Sequence, residues 1–146
     1  MSTEPTTITA PGTSILIVDD NPQFSGLLQR ILKAGFGYQD VTAVASTQAA
    51  YELITHDPER FKMLFVDYHF PEGTTGGELL QQLQSHALLG NKIAFLITSE
   101  PTPDNQKEAQ RAGAKGVVAK PFDRDKIRSQ LEKVERALQL EQGEHF

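Results

Sequence analysis

Four short apolar runs, each stopping on a polar residue, constrain this chain more than any other feature in it. Met63-Leu64-Phe65-Val66 stops at Asp67, Ile15-Leu16-Ile17-Val18 at Asp19-Asp20, Ile93-Ala94-Phe95-Leu96-Ile97 at Thr98-Ser99, and Val117-Val118-Ala119 at Lys120. Runs this short, rich in bulky and β-branched residues and without helical spacing, read as strands buried on both faces, the habit of a parallel sheet. In open α/β sheets, ligands bind outside the carboxyl ends of the strands. The four polar tips are therefore expected to converge on one crevice.

The segments between the runs read as helices. Asn21-Pro22 supplies an N-cap and a proline at the first helical position, and Phe24, Leu27, Leu28, Ile31 and Leu32 recur at amphipathic spacing until Gly35 and Gly37 close the helix. Asp40 to Ala45 is a more polar strand, suited to a sheet edge. Ala49, Ala50, Leu53 and Ile54 mark a second helix, which Asp57-Pro58 stops. Thr75 and Glu78 stand at capping-box spacing ahead of Leu79, Leu80 and Leu83. Thr102-Pro103-Asp104 opens a fourth helix with only alanines for a buried stripe, so it is thinly anchored. Asp123 caps the last, where Ile127, Leu131, Val134 and Leu138 form a heptad-like seam. The first half of that seam is expected on the sheet, leaving the far end, toward Leu140, for a partner or for a second copy in a homodimer.

Five strands alternating with five helices on short connections suit right-handed parallel crossovers in one doubly wound α/β domain. A length of 146 residues fits a single core. Residues 1–13, rich in Thr, Pro and Ser, read as a disordered leader, 14–140 as the domain and 141–146 as a tail. A net charge of -5 without a long basic run argues against direct nucleic-acid binding. With no cysteine, neither a disulfide framework nor a thiolate metal site can form. The apolar runs are too short to span a membrane, and the first residues lack the charge and apolar core of a secretion signal, so a cytoplasmic protein is expected.

Asp19, Asp20 and Asp67 bring three carboxylates to the crevice, where their repulsion is costly unless a cation sits among them. Oxygen ligands without His or Cys suit a hard ion, and Mg2+ is expected. Alone, Asp19-Asp20 would read as helix-capping acids, Lys120 as a solvated lysine and Thr98 as a plain strand end. Together at one edge they read as a site. Lys120 can hold a carboxylate at rest or a phosphoryl oxygen during reaction, and Thr98 can donate to an anion. An ionised carboxylate beside Mg2+ and a lysine can accept a phosphoryl group without a base, which makes Asp67 the candidate acceptor. No glycine-lysine phosphate loop occurs, which argues against a nucleotide donor.

These residues, in this order and spacing, resemble the receiver domain of two-component response regulators, over roughly Ser14 to Leu138. The resemblance implies a flavodoxin-like (βα)5 fold with strand order 2-1-3-4-5 and phosphorylation on Asp67. Mg2+ would be held by Asp19, Asp20, Asp67 and the backbone carbonyl of His69. Thr98 becomes the switch hydroxyl, and Lys120, ahead of a cis Pro121, the phosphate-binding lysine. The implied donor is a sensor histidine kinase, a histidine phosphotransfer protein or a small phosphodonor. The implied output face is the fourth helix, fifth strand and fifth helix, with Gln106, Lys107, Gln110, Lys115, Arg124 and Lys126, read by a downstream protein target. Such a domain is no enzyme toward other molecules and catalyses only its own phosphorylation and dephosphorylation. About two dozen residues follow Lys120, so no output domain is expected in this chain.

Two departures stand out. Val117 occupies the place, three residues before Lys120, where the family usually carries a mobile aromatic. The loop Pro71 to Gly77 is one residue longer than the common form. His69 and Glu100 flank the expected pocket and read either as tuners of hydrolysis or as exposed loop residues. Two other readings compete. A haloacid-dehalogenase-like phosphatase would put its nucleophile on the first strand with a second Asp two residues later, where this chain has His69. A pseudo-receiver would bind partners without ever taking phosphate.

Overall fold

A computed structural model of the chain describes residues 12–143. The leader read at 1–13, apart from Gly12 and Thr13, and the end of the tail, 144–146, lie outside the described residues. The elements are β1 (Ser14–Val18), α1 (Pro22–Arg30), β2 (Asp40–Val44), α2 (Thr47–His56), β3 (Met63–Asp67), α3 (Gly76–Ser85), β4 (Ile93–Thr98), α4 (Pro103–Arg111), β5 (Gly116–Ala119) and α5 (Arg124–Gly143). All strand pairings are parallel, in the order β2-β1-β3-β4-β5. This is the doubly wound (βα)5 arrangement expected.

Because side chains alternate along a strand, each apolar run feeds two cores. Ile15, Ile17, Met63, Phe65, Phe95 and Ile97 face α1 and α5, meeting Leu28, Leu32, Ile127, Leu131 and Val134. Leu16, Val18, Leu64, Val66 and Leu96 face the other way, onto Ala50, Ile54, Leu79, Leu80 and Leu83. Every residue of β3 and β4 is buried, as runs without polar alternation require. β2 at the edge is mostly half-exposed, and its Asp40 accepts from the Ser14 hydroxyl (2.7 Å) and pairs with Arg60 (3.4 Å).

The helix starts follow the capping chemistry. Asn21 Oδ1 accepts from Gln23 N (2.9 Å), and Asp123 Oδ1 from Lys126 N (2.9 Å). Thr75 and Glu78 close a reciprocal box that starts α3 at Gly76, after the long loop. The first helix closes at Gly37 (φ 81°), where its glycines placed the end, but its last turn, Ile31–Gly35, is π-helical rather than α-helical. Leu32 stays in the core, and the carbonyl of Gly35 accepts from the Arg124 guanidinium (3.1 Å), tying this end to α5. No helix among the described residues is long and apolar enough to cross a membrane.

Register levels the strand tips. Val18 pairs with Val66, Asp67 with Ile97, and Thr98 with Ala119, so Asp19, Asp67, Thr98 and Lys120 arrive at one edge. Gly76 lets α3 start against the end of β3, because a Cβ there would overlap the Asp67 carbonyl oxygen and lie 2.9 Å from Val66 Cγ1 and 3.0 Å from Leu96 Cδ2. Gly76→Ala is accordingly expected to destabilise the fold by about 1–3 kcal/mol, the usual cost of overpacking, measured as a fall in the urea midpoint.

Candidate functional site

Lys120 organises the crevice. Its ammonium lies 3.1 Å from Asp67 Oδ1 and 3.2 Å from Asp19 Oδ2, with little of any of the three side chains exposed. The peptide bond to Pro121 is cis, as the resemblance implied. Asp19 is further fixed by its Oδ1, which accepts from Asn21 N (2.9 Å), and by its own N–H, which donates to Val44 O (3.0 Å). Asp20 is exposed, yet one carboxylate oxygen from each of Asp19, Asp20 and Asp67 lies within 4.8 Å of the others. Three convergent carboxylates without nitrogen or sulfur donors fit a hard divalent cation.

One lysine does not neutralise three acids. Burial pushes the Asp67 carboxyl above its usual range, the neighbouring Asp19 adds to the shift, and Lys120 only partly opposes it. The ionised site thus carries unrelieved repulsion, the kind of perturbation that marks functional sites.

Thr98 is buried beside this group, and its hydroxyl oxygen accepts from the backbone N–H of Glu100 (3.0 Å). At rest the hydroxyl is engaged with the loop between β4 and α4. His69 is exposed in the loop after β3, bridged to Thr75, with its Nε2 3.9 Å from Glu100 Oε1. Val117 is half-buried in β5 at the floor of a groove of about 550 Å³ between α4 and α5, which Lys107, Lys115 and Lys133 also line. The acidic crevice lies apart from that groove.

Two contacts at the site were not read from the sequence. Phe24, assigned to the amphipathic stripe of α1, turns its ring under the Lys120 ammonium at 4.2 Å from the centroid and packs on Phe122. Tyr68, directly after Asp67, donates to Glu108 of α4. The one signal for Phe24 was an aromatic in the first turn after the acidic pair.

The family model for the response regulator receiver domain matches residues 15–132. The chain belongs to that family: it is a receiver domain of the response-regulator type, consistent with two-component signalling. It is 28% identical over 120 residues to the chemotaxis protein CheY of Pseudomonas aeruginosa, covering 82% of this chain and 94% of that protein. It is 31% identical over 121 residues to the two-component response regulator ORR3 of rice, Oryza sativa, covering 83% and 88%. The solved structure of the chemotaxis protein CheY4 of Vibrio cholerae has the same fold, with a TM-score of 0.75 at 24% identity, over 84% of this chain and 98% of that one.

Removing one charge from the crevice is expected to stabilise the fold. For a carboxyl whose folded-state pKa is raised, the penalty is complete above that pKa and absent below the unfolded value. Asp67→Asn should raise the melting temperature at pH 7, by roughly 3–5 °C per kcal/mol of repulsion relieved. The gap to wild type should close as the pH falls, which paired calorimetric scans from pH 7 to pH 4 would read.

Proposed function

We propose that this chain is a phosphorylatable switch of a two-component phosphorelay, in which Asp67 accepts a phosphoryl group from a sensor histidine kinase or a histidine phosphotransfer protein. The observation that carries the reading is the Lys120 ammonium set between Asp67 and Asp19, beside a third carboxylate. On this reading the Asp67 carboxylate is the nucleophile, with a cation and an acidic cradle within a few ångströms, and positioning and charge neutralisation do most of the work of phosphoryl transfer. Asp19, Asp20 and Asp67, with the backbone carbonyl of His69, would hold Mg2+. When bound, that ion supplies further neutralisation of the phosphoryl oxygens.

In the reaction, a carboxylate oxygen of Asp67 bonds to phosphorus as the P–N bond of the donor phosphohistidine breaks, and the departing imidazole takes up a proton. Lys120 exchanges its carboxylate partner for a phosphoryl oxygen. Thr98 gives up the Glu100 amide and donates its hydroxyl to the same group, which loosens the loop leading into α4. The face of α4, β5 and α5 changes in consequence, and a downstream protein reads it by population shift between two conformers. The domain acts on itself alone, in the cytoplasm. The exposed Leu140 near the end of α5 leaves room for a second copy.

Val117 favours a second reading, a binding module indifferent to phosphate, since an aliphatic side chain there has no aromatic ring to move. Intact-protein mass after incubation with acetyl phosphate and Mg2+ separates the two. A single phosphoryl adduct that disappears in Asp67→Ala and with a chelator is expected, and no adduct in wild type would favour the binding module. In the same assay Phe24→Leu should slow uptake by roughly 2- to 10-fold, the range that a cation–π contact of about 0.5–1.4 kcal/mol spans.

A further inference from the structure

Tyr68 is held on both sides of its backbone: its N–H donates to Ile97 O (2.8 Å) and its carbonyl accepts from Gly76 N (2.9 Å). It therefore cannot drift from Asp67, the residue before it. Its side chain crosses to α4, where the phenol donates to Glu108 Oε1 at 2.6 Å.

A gap in α3 makes room for the pair. Gly77 stands in the first turn, and a Cβ there would lie 2.8 Å from Glu108 Oε2, so the carboxylate sits where a side chain would otherwise project. The rest of the seating of α4 is shallow. Within its span only Ala109 is buried, followed by Ala112 at its C-cap. Two other side-chain bonds from α4, Asn105 Nδ2 to Glu100 O and Gln106 Nε2 to Pro101 O, end in the loop just ahead of the helix and travel with it. Among the described side-chain hydrogen bonds, Tyr68–Glu108 is the one that fastens α4 to the loop that follows Asp67. Tyr68 and Val117 pack on the same apolar cluster, and of the two only Tyr68 has a polar end.

We infer that the Tyr68–Glu108 bond is a latch that holds α4 in its resting seat and couples the seat to the state of Asp67. The coupling half of this inference rests on Asp67 as phosphoryl acceptor. Once Thr98 turns from the Glu100 amide to a phosphoryl oxygen, the loop ahead of α4 keeps only the long, exposed His69–Glu100 contact (3.9 Å), and the latch is the side-chain hydrogen bond that still opposes movement of the helix itself. Phosphorylation strains it from the other end, since Tyr68 adjoins the acyl phosphate while Glu108 rides on α4. Because a hydrogen bond to a charged group is among the stronger ones, its removal should favour released α4 by roughly 10-fold or more.

Amide hydrogen exchange across residues 103–112 tests the latch in the unmodified protein. Tyr68→Phe keeps the ring and its packing and removes only the hydroxyl; Glu108→Ala removes the acceptor. Each is expected to accelerate exchange in α4 by roughly 10-fold while α1 and α5 stay as in wild type, and the double variant should be no faster than either single one. Unchanged α4 exchange in Tyr68→Phe would overturn the latch. Treatment with acetyl phosphate and Mg2+ should then accelerate wild-type α4 exchange, and accelerate it by a larger factor than in Tyr68→Phe, whose latch is already open. A phosphoryl adduct on wild-type Asp67 with α4 exchange unaltered would overturn the coupling. Absence of any adduct would instead overturn the acceptor reading, with the latch already decided by the unmodified protein.

Discussion

The contact on which the rest of the site depends is the Lys120 ammonium between Asp19 and Asp67. Without it, three carboxylates would face one another at a largely buried edge, and the end of the sheet would carry uncompensated charge. With it, the repulsion is reduced but not cancelled, which is why the Asp67 carboxyl stays above its usual range. A crevice in that condition attracts further positive charge and is poised for a group that brings its own.

The scaffold supplies this contact cheaply because all four strand tips point the same way. Parallel pairing sets their ends level, and the two apolar faces, one on α1 and α5 and the other on α2, α3 and α4, hold the register from both sides. A one-residue slip of β3 would exchange its two faces, sending Phe65 from its stack on Phe95 (5.0 Å between centroids) to the opposite layer. The position of Asp67 is thus fixed by packing well away from it. On this rigid base α4 is the exception, seated on alanines.

Much of this could be read from the residues. The strands announce themselves because doubly buried strands leave no room for polar alternation, and their polar ends stand out against such runs. The caps at Asn21, Thr75, Thr102 and Asp123 were legible because capping is a local reaction between a side chain and amides two or three residues on. The thin anchoring of α4 was legible for the same reason. What escaped depends on how elements lie across one another. Phe24 under Lys120, and Tyr68 against Glu108, join residues far apart in the chain, and only the place of Phe24 just after the acidic pair sets either apart from ordinary packing residues. The π-helical turn at Ile31–Gly35 escaped because its apolar spacing is that of an ordinary helix.

The treatment of the outermost strand limits how this molecule can associate. An open edge of unpaired peptide groups is a template on which foreign chains can add a strand. β2 sets a charged Asp40 there, braced by Ser14 and Arg60, and β5 on the opposite side is only four residues long. Fibril-like stacking is discouraged at both margins. Recognition is thereby steered onto helical surfaces, whose side chains can reposition without breaking the ladder that sets Asp67, Thr98 and Lys120 at one edge.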